Sequence, residues 1–540
     1  MPCFRDMAVT DDTPVRIAKR VFPADRSKNI TITPLSILDA TVVRFTDCGA
    51  IWFYDKADGV NANDLGTFER LESALSETLS EYPHFTGQLR WATKEDVKDS
   101  CNPRHFGRPV VTYGSERDPG MELIRVKYGR ELDAIVPTML ERSTSKKIWD
   151  ISSIRQSDFL PSTQLAFSKI TEYADLPVAA AQLTAFKCGG FAVGIRITHC
   201  LSDAICLLHF IHTWAERSRW LHHTPKTAET SPALSALFNP GLLDAHANLG
   251  PGATEPDTGR LSRALGLPMH RFDWWATDEP GYPSWATATT KATVPTAAEL
   301  AQVELSPSTA PPWATWDPSA AVDSMQIRFS RAEVERMKVA AMKSLLDDFK
   351  DQAVSRQDAL LAHLWVLVNR ARRLENLPEQ VYLDISLGIR NRVSPPLPDS
   401  FVGSPLLLAY TNKTGAQAAA STIGAAAGAI RKTVSLFTPQ AVSDHLYASA
   451  HEVSPQRLWQ AFLGSRHLLV TSWARSRAYE VNFHGTGVAR YVQTQMPFLD
   501  GVLQLMDIAD TGDFDVNLSL DKGAMERLLS DPMLRAYDKV

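Results

Sequence analysis

One short stretch of the chain carries the residue types that general base chemistry needs. Residues 198–203 read Thr-His-Cys-Leu-Ser-Asp, so an imidazole stands four positions before a carboxylate, at His199 and Asp203. An imidazole titrates near neutral pH, and His199 could take a proton from a hydroxyl or amine that attacks a carbonyl. The spacing carries little information, because roughly one His-x-x-x-Asp match is expected by chance in a chain with 14 histidines. By itself the motif fits a structural His–Asp pair better than a catalytic base.

The elements around the motif give His199 a favourable position. Residues 191–198 alternate as a β-strand does. The apolar residues on one face of this predicted strand are Phe191, Val193, Ile195 and Ile197. Ser202 and Asp203 are good N-cap residues for an apolar helix predicted over 204–215. We therefore expect His199 at a rigid strand-to-helix turn, where its side chain can face a cleft.

The motifs of several other chemistries are missing from the sequence. The chain has no Gly-x-Ser-x-Gly elbow, no His-Glu-x-x-His and no Gly-x-x-x-x-Gly-Lys-Ser/Thr loop, which argues against hydrolases, metalloproteases and nucleotide triphosphatases. The six cysteines show no Cys-x-x-Cys spacing. We therefore predict free thiols, no disulfide scaffold and no metal site. Cys200, beside the candidate base, is interpreted as a small buried apolar residue.

Composition and charge exclude further classes. Hydrophobic residues make up 44% of the chain and charged residues 22%, which is ordinary for a globular protein. The formal net charge of −5 provides no basic field for nucleic acid, so no nucleic-acid partner is expected. No apolar run is long enough to span a bilayer, and no secretory signal is evident at the start. We expect a cytoplasmic protein without a membrane span.

The 540 residues predict two domains separated by an insertion. Residues 1–217 alternate strand and helix patterns, and they include a helix predicted over 65–79. In residues 218–322, Pro, Thr, Ala, Gly and Ser crowd together, which predicts a long crossover segment. The regular pattern resumes in residues 323–540, the predicted second domain.

Two local patterns refine this division. The aromatic residues at 272–275 predict that part of the crossover packs onto a surface. In the second domain, Ser330 is a suitable N-cap for a helix predicted over 331–350.

Short motifs spread along the chain share a fixed order. They are residues 33–39, 82–89, 182–190, His199 with Asp203, residues 358–365, 388–392, 395–398 and 471–473. In order and spacing they resemble the BAHD acyltransferases, and among them the longer fungal members that acylate secondary metabolites. Residues 33–39 resemble the family's opening strand. This collinear agreement is more specific than any single motif, and it covers most of the chain outside the crossover.

The resemblance implies a fold and a mechanism. The fold would be α/β, with two similar mixed-sheet domains like those of chloramphenicol acetyltransferase and an active-site tunnel between them. His199 would be the general base, while Asp203 would point away and pair with an arginine, for which Arg390 is the candidate. Acyl-CoA would be a co-substrate, with no permanently bound cofactor. The acceptor would be a small-molecule alcohol, and the protein would be a monomer.

Further residues are predicted to line the substrate site. Thr471, Ser472 and Trp473 would face the tunnel. Ser355 and Arg356, at a predicted helix start, could meet CoA phosphates, although a plain helix cap is the better interpretation. The family's second signature, Asp-Phe-Gly-Trp-Gly, corresponds here to residues 482–487, which lack its Asp and Trp. Gly485 and Gly487 in this loop are the remaining candidates for donor contacts.

The altered loop keeps two alternatives open. A diverged family member could use the same base in a CoA-independent cyclisation or condensation, and a decayed enzyme could serve as a non-catalytic binding protein. The related condensation domains begin their signature with two histidines, whereas Thr198 precedes His199 here. This difference favours a free CoA thioester over a donor held on a carrier protein.

Overall fold

The computed structural model describes residues 16–26, 29–56, 65–223, 236–250, 256–273, 289–301, 315–351, 353–483, 487–508 and 510–538. The strands are β1 (Arg16–Val21), β2 (Thr31–Pro34), β3 (Cys48–Tyr54), β4 (Gln88–Trp91), β5 (Pro109–Tyr113), β6 (Met121–Tyr128), β7 (Ile148–Asp150), β8 (Ala179–Phe186), β9 (Phe191–Ile197), β10 (Phe272–Asp273), β11 (Val322–Phe329), β12 (Gln380–Gly388), β13 (Leu406–Thr414), β14 (Leu458–Trp459), β15 (His467–Ser472), β16 (Tyr491–Thr494), β17 (Val502–Ile508) and β18 (Asp513–Asp521). The α-helices are Ile37–Thr41, Leu65–Leu79, Met139–Ser143, Gln156–Phe159, Ala204–His223, Pro240–Ala245, Thr258–Leu265, Ala297–Leu300, Arg331–Lys343, Arg356–Ala371, Gly415–Ala420, Ile423–Ser435, Pro439–His451 and Lys522–Ser530.

Two large mixed sheets organise these elements. The first has six strands in the order β1-β6-β8-β9-β3-β16, with β6 and β8 parallel and the other pairs antiparallel. The second has seven strands in the order β13-β12-β15-β17-β18-β11-β7, with β15 parallel to both β12 and β17. The predicted α/β class with two mixed-sheet domains is therefore confirmed.

Each large sheet takes one edge strand from the other half of the chain. β16 pairs with β3 in the first sheet, where Tyr491 lies opposite Phe53. β7 pairs with β11 at the edge of the second sheet, where Trp149 lies opposite Gln326. This exchange ties the two sheets together through backbone hydrogen bonds. The division at 1–217, 218–322 and 323–540 stays a prediction about chain order, because sheet membership crosses it at these two edges.

β9, the strand that leads to His199, is buried on both faces. Its residues Phe191, Val193, Ile195 and Ile197 belong to one apolar cluster, as the alternation predicted. The helices Leu65–Leu79 and Ala204–His223 cover this face, and Trp214 donates its indole N–H to the Leu71 carbonyl at 2.9 Å. Ala192 faces a second apolar cluster on the other side. A strand enclosed in this way holds its last residue firmly.

Three predicted element boundaries differ from the structure. The strand expected over 33–39 ends at Pro34, and Ser36 caps a short helix instead, in a capping box with Asp39. The helix expected over 331–350 begins after Ser330 as predicted but ends at Lys343. At its end, the Ser344 hydroxyl accepts the N–H of Gly424 from a neighbouring helix at 3.1 Å. The helix predicted over 204–215 continues to His223.

A strand pair joins part of the described crossover to the second half of the chain. In β10, Phe272 pairs with Trp459 of β14, which agrees with the prediction that this part of the crossover packs onto a surface. Positions 274 and 275 of the predicted aromatic run lie outside the described residues. Among the helices of the described ranges, none combines the length and the apolar character that a membrane crossing requires.

Gly194 allows a close approach that fixes β9 in place. A Cβ atom at this position would collide with the carbonyl oxygen of Phe159, on the helix Gln156–Phe159. We predict that Gly194→Ala lowers the free energy of unfolding by about 1–3 kcal/mol, the usual cost of overpacking. The control is Gly388→Ala, since a Cβ at Gly388 meets nothing within 4 Å. Urea unfolding followed by tryptophan fluorescence compares the two, and equal midpoints would contradict the prediction.

Candidate active site

His199 lies two residues after the end of β9, and Thr198 connects it to the strand. Thr198 fixes this connection, because its N–H bonds to the Val178 carbonyl at 2.9 Å and its hydroxyl bonds to the Ala166 carbonyl at 2.9 Å. His199 opens the 3-10 turn His199–Leu201, and the helix Ala204–His223 follows. The imidazole is half-buried. The structure thus has the strand-to-helix turn that the sequence predicted.

Asp203 faces away from this imidazole and pairs with Arg390. Both Arg390 Nη atoms donate to its carboxylate, Nη1 to Oδ2 at 2.5 Å and Nη2 to Oδ1 at 2.9 Å. Oδ1 also accepts the backbone N–H of Cys206 at 2.9 Å, which caps the helix. Asp203 and Arg390 are both buried. The structure therefore brings together the two residues that the sequence analysis paired.

The loop at residues 401–404, in the second half of the chain, contacts the turn from the other side. The Phe401 carbonyl accepts Arg390 Nη2 at 3.0 Å, and the Gly403 carbonyl accepts the Asp203 N–H at 3.1 Å. Next in this loop, the Ser404 hydroxyl donates to the His199 carbonyl and lies 3.4 Å from His199 Nδ1. Asp203 and His199 thus both have hydrogen-bond partners in the second half of the chain, across the seam between the two halves.

Two residues at this seam escaped the sequence analysis. Ser404 contacts His199 directly, and its own N–H donates to Asp39 Oδ1 at 2.6 Å. Asp39 could have been flagged by its capping-box spacing from Ser36. Ser404 has no comparable local signal, since its role depends on contact with a residue 205 positions away.

The electrostatic environment favours a neutral imidazole. Burial lowers the pKa of His199 below its usual 6.5, while a hydrogen bond to its own backbone carbonyl and the charge of Asp203 act in the opposite direction. The Phe45 ring lies edge-on to the imidazole, with 5.7 Å between ring centroids. A neutral histidine of this kind can accept a proton at pH 7.

The residues predicted to line the site lie either around the end of β15 or in the loop at residues 482–487. Thr471 and Ser472 end β15, and Ser472 Oγ accepts Gln357 Nε2 at 2.9 Å, which places the helix start at Ser355 and Arg356 beside this strand end. Trp473 follows and is buried in the first apolar cluster. Gly487 has a positive φ of 130°. Gly485 lies outside the described residues.

Ser355 serves as a helix cap. Its hydroxyl accepts the N–H of Asp358 at 3.2 Å, and Asp358 Oδ2 in return accepts the N–H of Ser355 at 2.7 Å. Arg431 Nη2 also donates to the Ser355 hydroxyl at 3.1 Å. The cap interpretation favoured by the sequence therefore describes this hydroxyl, and Arg356 beside it is half-buried.

A buried His–Asp–His cluster lies in the second half of the fold. Asp384 Oδ1 contacts His270 Nε2 at 2.8 Å, and Oδ2 contacts His467 Nδ1 at 2.9 Å. These residues are of types that ligate metals and were not singled out from the sequence. Each carboxylate oxygen lies at hydrogen-bond distance from one imidazole nitrogen, which fits a brace that ties residue 270 of the crossover to β12 and β15.

Comparisons with known proteins agree with this architecture. The model of the Transferase family matches residues 14–108, 147–236 and 281–534, well over half of the chain. The protein therefore belongs to this family, the BAHD-type acyltransferases.

Its relatives include two fungal acyltransferases. Acyltransferase AFT15-1 of Alternaria alternata is 26% identical over 511 residues, with 90% of each chain covered. Acyltransferase abl6 of Leptosphaeria maculans is 23% identical, with 85% of this chain and 83% of that protein covered.

Solved structures share the fold. TRI101 of F. graminearum, complexed with coenzyme A and deoxynivalenol, gives a TM-score of 0.64 at 16% identity over 93% of this chain and 98% of that chain. Vinorine synthase gives a TM-score of 0.58 at 16% identity over 96% of this chain and 98% of that chain. At this identity the likeness concerns the fold.

The ion pair at the seam yields a stability prediction. Arg390→Ala leaves the Asp203 carboxylate buried without its cation, and we expect a loss of about 3–5 kcal/mol in the free energy of unfolding. The matched control is Arg263→Ala, because Arg263 is more than half exposed and its partner Asp444 keeps a second arginine, Arg260. We expect the control to cost at most about 1 kcal/mol. Urea unfolding measures both, and similar midpoints would refute the argument.

Proposed function

We propose that this protein transfers an acyl group from a CoA thioester to a hydroxyl of a small-molecule secondary metabolite, with His199 as the general base. The observation that carries the proposal is that Asp203 and His199 have different partners at the turn. The Asp203 carboxylate is engaged by Arg390 and by the Cys206 N–H, while the half-buried imidazole is held neutral by burial. A single neutral imidazole, without a carboxylate bonded to its ring, suits a base that acts directly on the acceptor.

The proposed reaction is a direct transfer. His199 Nε2 takes the proton from the acceptor hydroxyl as its oxygen attacks the thioester carbon, and a new C–O bond forms. The tetrahedral intermediate then collapses, the C–S bond breaks, and the CoA sulfur leaves with the proton returned by the imidazolium. The protein's largest contribution would be to hold the two substrates on either side of this nitrogen in one tunnel.

Several residues are proposed for donor and acceptor binding. Thr471, Ser472 and Trp473 would line the tunnel near the reacting carbon. The backbone at Ser355 and Arg356 would meet CoA phosphates through the N-terminus of the helix Arg356–Ala371, since the Ser355 hydroxyl is already used by its cap. Gly485 and Gly487 stay candidates for donor contacts. Coenzyme A bound to the TRI101 fold supports a CoA donor here. A cytoplasmic monomer stays the expected state.

The function is tested by coupled release of product and thiol. With acetyl-CoA and a panel of metabolite alcohols, we expect free thiol to appear in equal amount with ester. His199→Ala should lower kcat by about 10²–10⁴, the range that general base catalysis contributes. His451→Ala is the control, because His451 bonds its own helix through the Tyr447 carbonyl at 2.8 Å. Product that forms without CoA would instead support the cyclisation alternative, and full activity of His199→Ala would overturn the assignment.

The pH dependence follows from the burial of His199. The protonated imidazole cannot accept a proton, so kcat/KM should fall as the pH drops through the pKa of His199 in the folded enzyme. Because burial lowers this pKa, we expect the acid limb below pH 6.5. A pH–rate profile measured by thiol release gives the pH at which kcat/KM falls on the acid side. Circular dichroism at each pH confirms that the protein stays folded. An acid limb at or above pH 6.5 would contradict the electrostatic argument.

A further inference from the structure

Ser404 is a side chain outside the His-x-x-x-Asp motif that reaches the imidazole of His199. Its hydroxyl oxygen lies 3.4 Å from Nδ1, while its proton is directed to the His199 carbonyl oxygen. A hydroxyl has one proton and two lone pairs. With its proton used at the carbonyl, the Ser404 oxygen can face Nδ1 only as an acceptor. The His199 carbonyl also accepts a hydrogen bond from this imidazole, so both acceptors favour a hydrogen on Nδ1.

The proton on Nδ1 decides what the other nitrogen can do. A neutral imidazole has one N–H and one lone pair, so a hydrogen on Nδ1 leaves Nε2 as the lone-pair nitrogen. In the described part of the chain, Nε2 has no hydrogen-bond partner. It is therefore the nitrogen that is available to take a proton from a substrate.

We propose that Ser404, anchored by Asp39, is a positioning residue that holds His199 in the Nδ1–H tautomer with Nε2 aimed at the acceptor. The inference rests on the proposed function for the identity of the base. It adds a second residue and an anchor that the motif does not contain.

Asp39 anchors Ser404 through the backbone. Its Oδ1 accepts the Ser404 N–H at 2.6 Å, and its Oδ2 accepts the N–H and the hydroxyl of Ser36 at 2.9 and 2.6 Å. Asp39 is almost completely buried and has no ion-pair partner within the described ranges. Burial raises its pKa to about 6, against the effect of these hydrogen bonds. A buried carboxylate without a cation is costly, and here its hydrogen bonds fix the backbone of the residue that contacts the base.

The residue before Ser404 gives this loop its shape. Gly403 has φ +142°, a conformation that favours glycine, and a Cβ there would lie 3.0 Å from Asp39 Oδ1. Its carbonyl accepts the Asp203 N–H. The same short loop therefore holds Asp203 with one residue and His199 with the next. This double contact places both ends of the motif in one rigid frame.

The experiment reads the tautomer separately from activity. Protein labelled with nitrogen-15 at histidine reports which ring nitrogen of each histidine carries the hydrogen, and the His199→Ala spectrum assigns the His199 signals. We expect the Nδ1–H tautomer in the wild type. In Ser404→Ala we expect a mixture with Nε2–H, a kcat lower by about 3- to 10-fold and a KM changed by less than about twofold, which corresponds to one ordinary hydrogen bond. Ser404→Thr, which keeps a hydroxyl, should restore both tautomer and kcat.

The control is Ser324→Ala, because Ser324 is equally buried and bonds Ser519 at 2.7 Å between β11 and β18. It should change stability without altering the His199 signals or kcat. An Nε2–H tautomer in the wild type would overturn the inference without any variant, even if Ser404→Ala fails to fold. An unchanged tautomer or kcat in Ser404→Ala would also overturn it, while the proposed function would stand. If His199→Ala kept full activity, the proposed function would fail, and the positioning role with it, although the spectra would still report the Ser404 contact.

Discussion

The buried ion pair between Asp203 and Arg390 is the interaction on which the site depends. Two charges removed from water carry a large desolvation cost, which is offset only when geometry and additional hydrogen bonds are good. Here the guanidinium meets both carboxylate oxygens, and the Phe401 carbonyl and Cys206 N–H take up further hydrogen-bonding capacity. Asp203 belongs to the first half of the chain and Arg390 to the second. Closing this pair therefore fixes the turn that carries His199 against the other half.

Other contacts between the two halves of the chain also hold them together. Arg142 donates to Asp515 Oδ2 at 2.7 Å, and Tyr479 donates to the same oxygen. All three side chains are buried. Together with the exchanged strands β7 and β16, they oppose relative motion of the two sheets at several separate points. These contacts hold the turn that carries His199 from the second half of the chain, in addition to the support that β9 and Thr198 give it.

Local sequence patterns predicted the parts of the structure that local forces determine. The alternation of β9, the apolar period of the helix Leu65–Leu79 and the cap at Ser330 each involve neighbours within a few residues, and all three were found. The helix end after Lys343 contacts Gly424, 80 positions away, and no local pattern can reveal such a contact. Ser404 and the His–Asp–His cluster were missed for the same reason. Arg390 was assigned only through family resemblance, since its partner lies 187 positions away.

The least predictable part of the chain is also physically connected to the candidate base. The brace at Asp384 holds His270, and two residues later Phe272 pairs with Trp459. Trp459 in turn lies edge-on to Phe45, at 6.2 Å between ring centroids, and Phe45 lies edge-on to His199. Packed aromatic rings of this kind have coupled positions, because each ring limits where the next one can lie. A change in the crossover can therefore alter the surroundings of His199 while the ion pair at Asp203 stays intact.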